Sequence, residues 1–250
     1  MNITKPVRLV RNAVARVLEW PKKGYVQTKQ AQNEVLTNSA NPYYESHYRN
    51  CEYWYWSKIP EWILALRASH AKANILDIGG GYGTLSAFCG NVIESPSLHA
   101  IDFTGEYLSP ELIKSKSIDF RVCNIELEEI PWNVKFDIVI FTEVIEHLNF
   151  NPTPTLNKIR KSLSNNGKIF LSTPDALEWG RISKYFESLE QMPQPTHGSN
   201  IIDDHVWQYE KTELVRLIEQ CGLQVDKFGY SPGTPNRHLN FQLSRKPTHS

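Results

Sequence analysis

Between residues 75 and 83 the chain reads Ile75-Leu76-Asp77-Ile78-Gly79-Gly80-Gly81-Tyr82-Gly83. A short apolar run enters a glycine cluster, and a helix-forming stretch, Leu85–Cys89, follows. Glycine tolerates positive φ and lets a ligand approach the main chain closely. The amides that open the next helix then face that ligand. A dinucleotide fingerprint would place GxGxxG around a pyrophosphate. Here Thr84 stands at the third glycine position, and Gly83 falls one residue early. Asp77, two residues before the first glycine, is ill placed beside a pyrophosphate. It suits a ligand with an ammonium group or another cation.

A second cluster is Thr142-Glu143-Val144-Ile145-Glu146-His147-Leu148. On a helix, Glu143, Glu146 and His147 would share one face at i, i+3 and i+4. Three chemistries compete there. One is charge pairing at a helix end. Another is general base catalysis by His147, oriented by an acid. The third is a metal site, which needs further ligands. Asp203-Asp204-His205-Val206-Trp207 offers one, since His205 precedes the next helix and can fold over the same cleft. The other histidines (His47, His70, His99, His197, His238, His249) are expected to be surface or structural.

These groups must be carried by an alternation of strands and helices. Strand signals lie at Ala73–Ile78, Leu98–Ile101, Phe120–Ile125, Phe136–Phe141, Lys168–Ser172, Leu223–Tyr230 and His238–Arg245. Phe136–Phe141 is nearly all apolar, as a strand buried on both faces should be. Ser109-Pro110-Glu111 opens a helix with Ser as cap and Pro at the first helical position. Leu156, Ile159 and Leu163 mark a helix stopping near Asn165-Asn166-Gly167. Thr212 caps another, which ends at Gly222. The pattern predicts an α/β fold. A doubly wound, Rossmann-like sheet of seven mostly parallel strands carries helices on both faces, and its last strand is antiparallel. Ligands of such sheets sit at the carboxyl ends of the strands. Asp102 ends the second strand there, and its carboxylate can accept two hydroxyl hydrogen bonds. Asn124 and Ile125 end the third. Asp137, at the entrance of the fourth, reads as a strand-edge turn residue.

With these positions in order, residues 73–225 resemble the class I S-adenosylmethionine-dependent methyltransferases. The resemblance implies that Asp77, Gly79, Gly81 and Gly83 grip the cofactor and that Asp102 takes the ribose hydroxyls. Asn124 and Ile125 would meet adenine, although Asp is commoner at the first position, and Glu143 would border the cofactor. The Glu143–His147 string is similar to that of ubiquinone-pathway O-methyltransferases. Together with Asp204-His205 it also resembles the small-RNA 3′-terminal 2′-O-methyltransferases. Carried over, that likeness implies a divalent ion (Mg²⁺, Mn²⁺ or Zn²⁺) on Glu143, Glu146, His147 and His205. His147 and His205 would be the catalytic side chains. The expected reaction is methylation of a hydroxyl on a small molecule, glycan or lipid-linked acceptor. The alternatives are an RNA 2′-O-methyltransferase and a non-catalytic cofactor-binding protein.

Composition narrows the choice. Among 250 residues, Lys+Arg and Asp+Glu each total 27. This balance argues against a nucleic-acid partner. Four dispersed cysteines (Cys51, Cys89, Cys123, Cys221) fit a reducing compartment, and the expected location is the cytoplasm. No apolar run approaches the ~20 residues of a membrane helix. Residues 1–65 read as a helical and aromatic extension, and 66–250 as the cofactor-binding domain. Residues 174–211 form an acceptor-side insertion, where Trp179, Arg181, Tyr185, Phe186 and His197 can line a pocket. Near the start, Val7, Val10, Val14, Val17 and Leu18 share a helical face amid Lys5, Arg8, Arg11 and Arg16. The expectation is a helix packed on the domain. A basic amphipathic helix can instead meet a membrane surface or a partner.

Overall fold

A computed structural model describes residues 7, 10, 11, 13, 14, 17, 23–180, 183–233 and 235–247. The strands are β1 Asn74–Ile78, β2 Ser97–Asp102, β3 Asp119–Val122, β4 Phe136–Thr142, β5 Leu163–Pro174, β6 Leu223–Ser231 and β7 His238–Arg245. They form one sheet in the order β3-β2-β1-β4-β5-β7-β6. β1 to β5 pair in parallel. β7 lies antiparallel between β5 and β6. The predicted fold is therefore the observed one.

Each central strand feeds two cores, because successive side chains leave opposite faces of the sheet. Ile75, Ala100, Ile138, Ile140 and Phe170 point to one side. They meet helices α1 Tyr25–Asn38, α2 Arg49–Tyr55, α3 Ile59–Leu66 and α4 Thr84–Val92. Leu76, Ile101, Val139, Phe141, Ile169 and Leu171 point to the other. There they meet α6 Pro152–Ser162, α8 Lys211–Gln220 and the insertion residues Val206, Trp207 and Tyr209. Ala31, Val35, Tyr44, Tyr53 and Trp56 share a core with β1 and β4, so the extension and the sheet are packed as one body.

Local signals explain most of the boundaries. The Ser109 hydroxyl accepts from the Leu112 amide at 3.1 Å and starts α5 Pro110–Lys116. Gly222, at φ 70°, follows α8. Three expectations need correction. α8 begins at Lys211 without a side-chain cap, so Thr212 lies inside it. β3 stops at Val122, and Asn124 and Ile125 follow it in a turn. The helix before β5 ends at Ser162 rather than near Asn165, because the chain turns directly into a longer strand with a register shift against β4. Asp137 does the structural work expected of it, accepting from the Asn74 amide and the Ser164 hydroxyl.

The N-terminal helical residues also depart from expectation. Val7, Val10, Val14 and Val17 are 56%, 64%, 51% and 74% exposed. Their face is not packed on the domain. Arg11 reaches Glu178 at 2.5 Å. Lys5, Arg8, Arg16, Leu18, Arg181 and His249 lie outside the described residues. Among the described residues no helix is long and apolar enough to cross a membrane.

Candidate active site

At the carboxyl end of β1 the chain turns through Gly79, Gly81 and Gly83, at φ 67°, 50° and 84°. These left-handed angles favour glycine. A Cβ on Gly81, which lines the crevice, would meet only the Gly79 carbonyl, at an ordinary 3.9 Å. Gly83 has another reason to be glycine. A Cβ there would lie 2.5 Å from a Leu108 methyl. It is absent from the crevice wall, so it packs the loop rather than contacting a ligand. Asp102 ends β2 across the crevice and accepts from the Gly81 amide at 3.1 Å, with Thr104 amide on its other oxygen at 3.3 Å. Burial raises its carboxyl above the ordinary range. Asn124 and Ile125 line the far end. The Asn124 side-chain oxygen is used locally, by the Glu126 amide.

Asp77 is placed differently from the expectation. It is buried behind the loop, outside the crevice wall, and accepts from the Ser86 hydroxyl at 2.6 Å. Burial pushes its carboxyl up to about 6. It ties the loop to the first turn of α4.

The crevice continues into a chamber. Together they enclose about 570 Å³, from Gly79 and Asp102 at one end to Glu146, His147, Trp179, His205 and His238 at the other. The expected helical face does not form. Glu143 stands at φ 55°, in the left-handed region, and only Ile145–His147 makes a 3₁₀ turn. That angle is uncommon for a residue with a side chain and marks local strain. It aims the Glu143 carboxylate at Ser172 and His238. One Glu143 oxygen accepts from the Ser172 hydroxyl at 2.7 Å, and the other lies 2.8 Å from His238 Nδ1.

Glu146, His147 and His205 do converge, with ligand-type atoms all within 4.8 Å of one another. The Glu146 carbonyl accepts from the Val206 and Trp207 amides at 2.7 and 3.1 Å, docking the insertion on the 3₁₀ turn. His147 Nδ1 donates to the Asp204 carbonyl at 3.0 Å. This leaves its Nε2 to act elsewhere. The His147 and His205 rings meet edge to face at 4.7 Å. Asp204 is held apart by Lys184 and the Tyr185 hydroxyl. Of the insertion residues expected to line a pocket, only Trp179 does so among the described ones. Tyr185 and Phe186 pack on the core, and His197 is exposed.

The electrostatics divide the two glutamates. Burial, then the neighbouring Glu143 charge, pushes Glu146 well above the carboxylate range. Burial opposes the charged form of Glu143 too. The charge of His238, 2.8 Å away, and the bond from Ser172 outweigh it, and its carboxyl lies below the ordinary value. Such a split between neighbouring acids assigns them different tasks. Burial lowers His147. Burial and the His147 charge lower His205 to about 4.

His238, expected at the surface or in a structural role, lines the chamber beside an aromatic wall from the N-terminal extension. His238 is 2% exposed, opens β7 and faces the chamber. Tyr43, Tyr48 and Tyr55 line the cavity, while Tyr44 and Tyr53 sit in the core. The signal for His238 was present. An antiparallel last strand must begin where its parallel neighbours end.

A family model described as a methyltransferase domain matches residues 47–227. The chain belongs to this methyltransferase family. It is a member of the class I S-adenosylmethionine-dependent superfamily. The family match begins within the aromatic segment, in keeping with the shared core. The methyltransferase is 32% identical to the ubiquinone biosynthesis O-methyltransferase of Xanthomonas oryzae pv. oryzae over 119 residues, 44% of this chain and 46% of that relative. It is 26% identical to the mitochondrial ubiquinone biosynthesis O-methyltransferase of Rattus norvegicus over 184 residues, 67% and 51% of the two chains. The chain thus spans about half the length of the curated relatives it matches. Among solved structures it resembles a Leishmania major methyltransferase (TM-score 0.59, 14% identity, 87% of this chain and 83% of that one). It also resembles the magnesium protoporphyrin IX methyltransferase of Synechocystis, solved with bound SAH (TM-score 0.56, 11% identity, 87% and 94%). At these identities the likeness is one of fold.

Proposed function

We propose that this methyltransferase moves a methyl group from S-adenosylmethionine to a hydroxyl of a small-molecule, glycan or lipid-linked acceptor. One observation carries the reading. A single cavity joins the glycine crevice to a chamber lined by histidines and glutamates. Relatives named as O-methyltransferases support the choice of oxygen. Neighbours solved with bound SAH support the donor.

The crevice fits that donor. Bare backbone at Gly81 leaves room for it, and Asp102 can accept from ribose hydroxyls. When bound, S-adenosylmethionine supplies an activated methyl group on a positively charged sulfur. The protein must then align an acceptor and manage its proton. Tyr55 and Trp179 offer aromatic faces for an acceptor ring. His147 and His205, with their charged forms disfavoured by burial, act as neutral hydrogen-bonding groups beside it. The test is calorimetric titration with S-adenosylhomocysteine, then an acceptor screen with labelled S-adenosylmethionine over phenols, sugars and lipid-linked hydroxyls. Binding of the cofactor product and labelling of a hydroxyl are expected. Labelling only of nitrogen or carbon acceptors contradicts the choice of oxygen.

A second observation favours a metal-assisted version of the same reaction. Glu146 Oε1 is buried without a hydrogen-bond partner, next to the two imidazoles. Glu146, His147 and His205 would hold a divalent ion such as Mg²⁺, Mn²⁺ or Zn²⁺. Glu143, turned to His238, is outside that set. A bound ion would lower the pKa of an acceptor hydroxyl. Dialysis against a chelator and re-addition of each ion reads this directly. Turnover indifferent to chelation contradicts it.

A further inference from the structure

We propose that His238 and Glu143 form a carboxylate–imidazole dyad that takes the acceptor's proton during methyl transfer. The proposal rests on the methyl-transfer reading above and assigns that reaction its base.

The sheet topology puts the pair together. β7 runs antiparallel to β5, and its first residue, His238, pairs with Pro174 at the carboxyl end of β5. Glu143 follows the carboxyl end of the neighbouring strand, β4. Three features then aim the carboxylate. Its backbone is held in the left-handed region at φ 55°. Its amide donates to the Ser172 carbonyl at 2.9 Å. Its Oε1 accepts from the Ser172 hydroxyl. A strained residue pinned this thoroughly marks a site where geometry serves function.

The imidazole is held just as firmly. Its ring stacks on Tyr55 at 4.6 Å with 21° between planes, and Trp179 meets it at 5.9 Å and 83°. Nδ1 lies 2.8 Å from Glu143 Oε2, although not aligned for a hydrogen bond. Nε2 is buried and also has no hydrogen-bond partner, on a residue that lines the chamber. A buried polar atom without a partner calls for a reason. An acceptor hydroxyl would supply its partner. Catalytic contacts are often loose before substrate arrives.

The other two histidines are less suited to this task. Burial disfavours the protonated form of both. Neither has a carboxylate behind it like the one behind His238. His147 has the Asp204 carbonyl, and His205 has the Gln208 amide at 3.3 Å. Among the described residues, the titratable groups shown near His238 are Glu143 just after β4, Tyr55 from α2 and His205 from the insertion. The preceding Arg237 is neutralised by Asp175 and Glu178.

The step balances as follows. The acceptor O–H bond breaks and its proton goes to His238 Nε2. The oxygen pair forms the new C–O bond. The methyl–sulfur bond breaks, and its pair stays on sulfur as a neutral thioether. The imidazolium is matched by the Glu143 carboxylate until the proton leaves to solvent.

The test uses the whole chain saturated with S-adenosylhomocysteine and labelled at histidine ring nitrogens. In NMR, neutral His238 is expected as the Nδ1–H tautomer with Nε2 bare, identified by its loss in His238→Gln. In Glu143→Ala, which removes the acceptor behind Nδ1, the Nδ1–H preference should be lost. An Nε2–H tautomer in the parent, or a tautomer unchanged in Glu143→Ala, overturns the dyad. With catechol as acceptor, His238→Gln should lower turnover by roughly 10²–10⁴-fold. Its affinity for S-adenosylhomocysteine should stay within about twofold of the parent, and the acidic limb of its pH–rate profile should flatten. Parental turnover with an unchanged limb contradicts the base role. If His238→Gln fails to fold, Glu143→Gln reads the same limb. Failure of the parent to bind S-adenosylhomocysteine sinks the methyl-transfer reading instead, and leaves the tautomer result standing.

Discussion

The two ends of the cavity are built in different ways. The crevice is made of one contiguous loop, Gly79–Tyr82, plus a carboxylate at the next strand end, Asp102. The chamber is made of side chains from five separated places: Tyr55, Glu143–His147, Trp179, His205 and His238. A loop shaped by glycine is a local property. A chamber gathered from five segments is a property of the whole fold. The first should fail through local blockage, and the second through loss of a single group without loss of cofactor binding.

The largest effect tests the crevice. Gly81→Val should reduce affinity for S-adenosylhomocysteine by at least about 100-fold, ~2.7 kcal/mol. A β-branched side chain is disfavoured at that φ and enters the ligand's space. Calorimetry beside a thermal melt separates this from unfolding, and unchanged affinity breaks the comparison at the crevice end. His147→Ala tests the chamber. Turnover should fall by on the order of 10²-fold through loss of a hydrogen-bonding group at the reacting centre, with S-adenosylhomocysteine affinity within about twofold of the parent. If affinity falls along with turnover, the two ends are not separable.

A third measurement asks how the aromatic segment is joined to the crevice. Glu52 on α2 accepts from Tyr44, Gln32 and Thr84, the first residue of α4, at 2.9, 2.8 and 3.0 Å. Burial nevertheless raises its carboxyl to about 7, against 4.5 in an open chain. The folded state therefore holds a proton that the unfolded chain has released. Stability should fall as pH rises from about 4.5 to 7, at up to ~1.4 kcal/mol per pH unit. Melts of the parent and Glu52→Gln at pH 5 and 8 check this. The variant should show the smaller difference, and equal differences would remove Glu52 from the account. The smallest effect concerns Asp77. Because its carboxylate is held by Ser86, Ser86→Ala should weaken S-adenosylhomocysteine binding by only about 1 kcal/mol. A much larger loss would return Asp77 to direct ligand contact.

The same contrast explains what could be read from the residues. The sheet was legible, because β1 and β4 are apolar runs and Ser109-Pro110 is a local helix start. The crevice was legible for similar reasons, since positive φ at Gly79 and Gly81 and a strand-end Asp102 are short-range features. The bond from Ser86 to Asp77 comes from nine residues on and was not legible in the glycine motif. Glu143 was misplaced because helical spacing assumes helical φ, and at 55° that assumption fails. His238 is 95 residues from Glu143 and meets it only through an antiparallel strand. The N-terminal valines have the period of a packed helix, yet they stay exposed. Period alone does not say what covers a face.

The most direct test of the whole account is a crystal structure of the chain with S-adenosylhomocysteine. The account predicts ribose on Asp102, adenine beside Asn124 and Ile125, and the sulfur facing the chamber toward His147 and His238. Ligand bound outside the glycine crevice, or with its sulfur turned away from those histidines, would contradict it.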